Sequence, residues 1–416
     1  MNLKLIAALG LSAAALFSTP VYAVEKIEFW TMSMKPKFSP YFEALVKKYN
    51  AENPDVRVEW VDYPWDVMQA KITARVASGK PPALVHLNVT WAYEYARLGT
   101  IVPVDNAISS VKANYTKAAI DDVTFDGKVY GFPQISNVAV FAYNSKIFQA
   151  AGLTRAPKNM DEQIEFARQI HAKTGKAGFG PALGKPDGFF MQQGLAIVKN
   201  NQAVFNSPAH VELLQKLAVA YKEGAILKDN LFAEDNFPSI VDAYKGGRLG
   251  ILVAPPAGVK RIQLDAKDIY AITEVAPAPL GPTKIADGGW LFHFAVPKGV
   301  DSKIMPAVAE FAQYLTNADN QLEFCKLSGA MPTSIKAAKD PFFQNVPEGA
   351  GAIEKAIAAA AGSMKYARTL YVAGIPNYDE LRRVLVTAME NGITGKKDIK
   401  TALDEAAAVW NKKLAQ

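Results

Sequence analysis

A single cysteine among 416 residues removes whole classes of explanation at once. Cys325 cannot pair within the chain, so a small disulfide-stapled secreted fold is excluded. Its neighbours Leu322, Phe324 and Leu327 predict a thiol buried as a small hydrophobe, not a reactive one. Histidine is nearly as scarce. His86, His171, His210 and His293 stand far apart, and without HExxH or CxxC no metal site has a local signature. A GxSxG nucleophile elbow is missing too. The glycine run from Gly178 to Gly184 misses both the dinucleotide fingerprint and the phosphate loop by one residue, and Pro181 and Pro186 would break the helix start either requires. Asp121-Asp122 and Glu234-Asp235 read as loop acids, not as a hydrolase pair. Charge of one sign is also lacking: the net +6 includes Lys4, and bases alternate with acids, as in Lys47-Lys48 near Glu43 and Glu52. Nucleic-acid binding, which wants a basic stripe, is not expected. Nor is any cofactor or metal.

Long apolar runs are confined to the N-terminus. Lys4 precedes an apolar stretch from Leu5 to Phe17, Pro20 interrupts it, and Val21-Tyr22-Ala23 offers small residues for a signal peptidase. The stretch falls short of the about 20 residues that cross a bilayer. Residues 1–23 therefore read as a cleavable secretory signal, Val24 as the mature start, and the product as an exported, soluble protein.

What remains is half hydrophobic, enough to bury a large core in about two to three domains. Ile27 to Trp30 alternates as a strand, and Val56, Val58 and Trp60 alternate against polar neighbours as a second. Between them Phe42, Leu45, Val46 and Tyr49 recur at helical spacing, bounded by Ser39-Pro40 and Asn53-Pro54. A helix through Met68, Ile72 and Val76, a strand from Ala83 to Leu87 and a helix from Trp91 to Leu98 follow. This alternation predicts a parallel sheet wrapped by helices, and such sheets bind ligands beyond the carboxyl ends of their strands. Those ends carry Thr31 to Lys35, Tyr63-Pro64-Trp65 and Asn88-Val89-Thr90-Trp91. Tryptophan beside short polar groups suits a sugar, whose C–H faces pack on rings while its hydroxyls take directed hydrogen bonds. Trp65 and Trp91 could equally be first-turn residues covering their helices; their shared location favours a site.

Further on, GKVYGFP from Gly127 and the run Val138 to Tyr143 read as extended segments with Gln134 to Asn137 as a polar joint. Helices at Met160 to Thr174, Gly188 to Val198 and Pro208 to Glu223, then strands near Leu249 to Val253 and Tyr270 to Val275, make a second α/β unit. Gly288-Gly289-Trp290 leads into an apolar strand, and helices dominate from Met305 to the end.

The chain resembles the extracellular solute-binding proteins of ABC importers, in the carbohydrate-binding branch that includes maltose-binding proteins. The resemblance rests on NPDVRVEW from Asn53, the GKPP passage ending LGTIVPVD at Asp105, and GKVYGFP followed by AYNSKIFQAAGL from Ala142. It continues with GGWLFHFAVPKG from Gly288 and FAQYLTNADNQLEFCKLSGAMPT from Phe311. It implies an α/β, two-lobed periplasmic-binding fold of type II, each lobe a sheet wrapped by helices, with the ligand in the cleft between lobes. The implied lobes are 24–133 with 291–333, and 134–290 with 334–416, joined by crossings near Gln134, near Trp290 and just past Met331-Pro332. Carried over residue by residue, the family's contacts fall on Ser33, Asn88, Thr90, Trp91, Asn137, Phe189, Phe190 and Tyr378 or its neighbour Tyr371; Trp65 from the strand ends and Gln134 and Trp290 from the crossings complete the ligand-binding set. One departure stands out: Pro255-Pro256-Ala257 replaces an aromatic shelf of maltose-binding relatives. The implied partners are a small carbohydrate or polyol and the transmembrane subunits of an ABC permease, and the implied state is a non-enzymatic monomer. The alternatives are a secreted carbohydrate-active hydrolase, or the same class taking a glycerol-phosphate-like ligand met by Lys35 or Lys37.

Overall fold

The computed structural model describes residues 25–372, 374–375 and 377–415, and the expected secretory signal lies outside them. The first strand, Glu25–Met32, is short and apolar enough to be buried on both faces, with Ile27, Phe29, Trp30 and Met32 all in the core. It pairs in parallel with Val56–Tyr63 on one side and Leu84–Asn88 on the other. The intervening helices, Ser39–Glu52 and Trp65–Ala77, turn Phe42, Leu45 and Tyr49, and Met68 and Ile72, onto the sheet. Phe29 gathers Phe42, Phe294 and Phe311 at 6.4, 6.3 and 5.1 Å between ring centroids, a dense aromatic centre for this half.

Beyond Leu84–Asn88 the sheet changes sense. The strand Ala286–Pro297 runs antiparallel to it, and Phe132–Val138 antiparallel again, with Met331–Pro332 at the edge. The sheet expected to be parallel is therefore mixed, because two strands from far along the chain close its edge. Gln134 to Asn137, expected as a joint, lie within Phe132–Val138, where backbone pairing on both sides holds them extended. The chain leaves this sheet at Ala139 and enters a second one directly. There Val140–Asn144 is the middle strand, flanked antiparallel by Ile251–Ala254 and Thr273–Pro277.

Helices Met160–Thr174 and Pro208–Glu223 pack together on one side of the second unit, and both end on a left-handed glycine, Gly175 and Gly224. Helix Ala352–Ser363 packs against the small sheet, and Pro256–Asp265 lies against that helix. The closing pair Tyr378–Ile393 and Ile399–Leu414 is pinned by fully buried Trp410, whose indole N–H donates to the Leu381 carbonyl at 2.8 Å.

Gln321 ties the strands where the two units meet. It is wholly buried, and its side-chain amide donates to the Pro133 and Thr316 carbonyls while its oxygen accepts from the backbone N–H groups of Thr333 and Ser334 at 2.8 Å each. A buried amide satisfied in this way costs no orphaned polar group and fixes two chain passages to each other.

Candidate functional site

A cleft of about 1800 Å³ opens between the carboxyl ends of the first-half strands and the helices of the second unit. Strand Leu84–Asn88 ends at one wall, and Asn88 caps the following helix: its side-chain oxygen accepts from Trp91 N–H at 2.9 Å and from the Thr90 hydroxyl at 2.8 Å. The cap uses the Asn88 oxygen and leaves its amide N–H groups for the cleft. Trp65 opens the helix after Val56–Tyr63 and stands edge-on to Trp91 at 5.4 Å and to Phe292 at 5.6 Å. Trp65 is 41% exposed, unusual for an indole that has two aromatic neighbours to bury against.

The floor comes from Ala286–Pro297, and its shape follows from the glycine pair. A Cβ on Gly288 would stand 2.6 Å from the Asn137 carbonyl oxygen, and Gly289 adopts φ +79°. Trp290 follows with φ +29°, a conformation an aromatic residue rarely tolerates, and is 37% exposed. The strand register slips between Gly289 and Phe292, so the bulge turns the Trp290 ring out of the sheet into the cleft. Strand Ala367–Arg368 pairs with Ala286 and Asp287 beside it, and the chain then carries Tyr371 to the cleft with its ring 5.7 Å from Tyr93. Burial pushes the Tyr371 phenol up to about 12.

The far wall is formed by helix Pro186–Gln192 and the start of Tyr378–Ile393. Phe189 and Tyr378 line it, while burial first and then Asp187 push the Tyr378 phenol upward. Arg382, 8% exposed, is shared by Glu234 at 2.7 Å and Asp379 at 3.5 Å and donates to the Gly184 carbonyl.

Eight residues singled out from the sequence thus meet on one cleft: Trp65, Asn88, Thr90, Trp91, Phe189, Trp290, Tyr371 and Tyr378. Four others are placed elsewhere. Ser33 is exposed at the end of its strand but off the cleft wall, because the Asp62 carboxylate draws the loop down through Thr31, Met34 and Lys35. Gln134 is buried within the large sheet, its carbonyl accepting from the Thr333 hydroxyl at 3.2 Å. Asn137 lies opposite Gly289 in the same sheet. Phe190 turns from the cleft into the core, 4.8 Å from His210, since consecutive helical residues point about 100° apart. Lys35 and Lys37 do not line the cleft either; their ammonium groups lie over Trp60 and Phe38. Pro255 does line it, at the start of helix Pro256–Asp265.

Sequence reasoning missed Asp187, Asp287, Tyr93 and Arg382. Asp287 adjoins the glycine pair, which was the available hint; nothing local marks Arg382. Packing pushes the Asp287 carboxyl up to about 6, opposed only by attraction to Lys185, and burial raises Asp187. His86 and His293 are wholly buried, and burial depresses both to about 3. Among the described residues no three His, Cys, Asp or Glu side chains gather to hold a metal, and no helix is long and apolar enough to cross a membrane.

The profile of the bacterial extracellular solute-binding proteins matches residues 44–351 of this chain. A binding protein of Brucella abortus is 25% identical over 417 residues, covering 96% of this chain and 95% of the relative. The sn-glycerol-3-phosphate-binding periplasmic protein of Agrobacterium fabrum is 25% identical over 434 residues, covering 95% and 94%. Among solved structures, an oligosaccharide periplasmic-binding protein from Synechococcus superposes with a TM-score of 0.83 at 25% identity, covering 94% of this chain and 99% of the other.

Proposed function

The chain belongs to the bacterial extracellular solute-binding proteins, and on that premise we propose that it captures a carbohydrate or polyol in the cleft and delivers it to an ABC permease. The observation that carries this reading is the aromatic lining: Trp65, Trp91 and Trp290 present ring surface to a cleft that also holds Asn88 and Thr90. Rings that are left part-exposed beside hydrogen-bonding groups match a ligand with apolar C–H faces and hydroxyl edges. The reading places the mature protein, from Val24, in the periplasm as a monomer that binds without chemistry. Its lobes are 24–138 with 291–333, and 139–290 with 334–416, the first crossing falling at Ala139 and not near Gln134 because 134–138 pair within the large sheet.

Closure supplies the delivery message. Three thin passages, at Ala139, at Gly288-Gly289-Trp290 and after Met331–Pro332, allow one lobe to rotate against the other, and a ligand that touches both walls favours the closed form by its differential affinity. The test combines small-angle scattering with a thermal-shift screen of the mature protein against sugars and polyols. The expected result is a raised melting temperature and a more compact particle with the same ligand, which is recovered unchanged. Trp91→Ala and Trp290→Ala should each weaken binding by about 1 kcal/mol or more while folding normally. Binding without compaction would refute closure, and a cleaved ligand would replace binding with hydrolysis.

A further inference from the structure

The cleft has the opposite electrostatic character to the chain as a whole. The sequence carries a net +6, yet nine acidic side chains line the cleft against four basic ones. Pairing does not cancel the excess. Asp161 and Glu212 share Lys216 at 2.8 and 2.9 Å, and Glu234 and Asp379 share Arg382, so each of those cations answers two carboxylates.

The excess concentrates beside the Trp290 bulge. Asp287 is half-buried three residues before Trp290 on the same strand, with no hydrogen bond to its carboxylate among the described residues. Helix Pro186–Gln192, which carries Asp187 to the cleft, packs against both that strand and helix Tyr378–Ile393. The Tyr378 hydroxyl is buried beside the Asp187 carboxylate without closing a hydrogen bond of ordinary length. A phosphate would find little here, because Asp187 already places a carboxylate in the first turn of helix Pro186–Gln192. The Asp287 carboxylate, three residues before an indole turned into the same cleft, instead suits a cation that also donates hydrogen bonds.

We infer that the ligand carries a protonated amino group, as in an amino sugar or amino polyol, held at Asp287 with Asp187, the Tyr378 hydroxyl and the face of Trp290 around it. This rests on the sugar-binding reading of the same cleft and gives the ligand its charge. A neutral hydroxyl in that place would donate one hydrogen bond to the Asp287 carboxylate but leave its charge to the attraction of Lys185 alone, whereas an ammonium supplies both charge and several N–H donors.

The test is calorimetric titration of the mature protein with matched series: glucosamine, N-acetylglucosamine and glucose; galactosamine, N-acetylgalactosamine and galactose; and sn-glycerol 3-phosphate. The amine of a series should bind about 10- to 100-fold tighter than its neutral counterparts. Asp287→Asn should abolish that preference while its ligand-free melting temperature stays at or above that of the parent, with Asp187→Asn as a second variant should the first misfold. Equal or tighter binding of a neutral sugar or of glycerol 3-phosphate overturns the inference and leaves the binding reading in place. So does an amine preference that survives both substitutions. If no member of any series binds, the sugar reading falls together with the inference.

Discussion

Replacing Gly289 with alanine should damage both the fold and the site, by an amount the geometry sets. Gly289 adopts φ +79°, where an L side chain costs about 1–2 kcal/mol. The added methyl would also stand 2.5 Å from the Arg368 carbonyl carbon and the Thr369 hydroxyl oxygen, and closer still to the Thr369 amide nitrogen. These are largely backbone atoms of a chain paired to the strand beside Gly289, so they cannot step aside as a flexible side chain would. Overpacking of this kind costs about 1–3 kcal/mol, which brings the expected loss to about 2–5 kcal/mol. Relief requires residues 367–371 to shift, and Tyr371 would leave the cleft with them. Affinity should therefore fall further than stability alone explains, because the variant's folded molecules carry a displaced wall. Chemical denaturation measures the first quantity and calorimetric titration the second. Gly362→Ala is the matched control: Gly362 lies in helix Ala352–Ser363, a methyl there meets nothing within 4 Å, and the change should stabilise by about 0.5–1 kcal/mol. A Gly289→Ala protein with parental stability and affinity would refute the account of the bulge.

Two further predictions concern buried groups. His86 and His293 are held neutral with folded values near 3 against an ordinary 6.5, so the stability they contribute is complete above about pH 6.5 and is lost as pH falls toward 3. Asp122 and Asp287, raised from 3.8 to about 6, act in the opposite direction: their contribution is complete below pH 3.8 and is lost as pH rises through 6. Because the histidine shifts are the larger, the melting temperature should decline from pH 6.5 to 4, and His86→Phe, which keeps a ring between Phe292 and Phe294, should flatten that decline; an unchanged slope would show that His86 is not responsible. Cys325 is wholly buried and burial pushes its thiol upward, so a thiol reagent should label it only after denaturation, and rapid labelling of the native protein would contradict its placement.

Local pattern alone determined a good deal about this protein. The alternation of Val56, Val58 and Trp60, the helical spacing of Phe42, Leu45 and Tyr49, and the glycine after Glu223 each reflect a periodicity or a cap that only neighbouring residues need to satisfy, and the strands and helices stand where those marks put them. Trp65, Asn88, Thr90 and Trp91, singled out by the rule that ligands gather at strand ends, line the cleft because each lies at or just beyond the end of a strand. Tertiary structure decided what depends on residues distant in sequence. The sheet became mixed because strands from 132–138 and 286–297 joined it, and pairing energy has no local trace. Phe189 faces the cleft while Phe190 faces the core, a choice made by rotation about one helix axis. Asp287 and Asp187 are a hundred residues apart and come to line one cleft only when the helix Pro186–Gln192 packs on the strand Ala286–Pro297, since burial is a property of the folded whole.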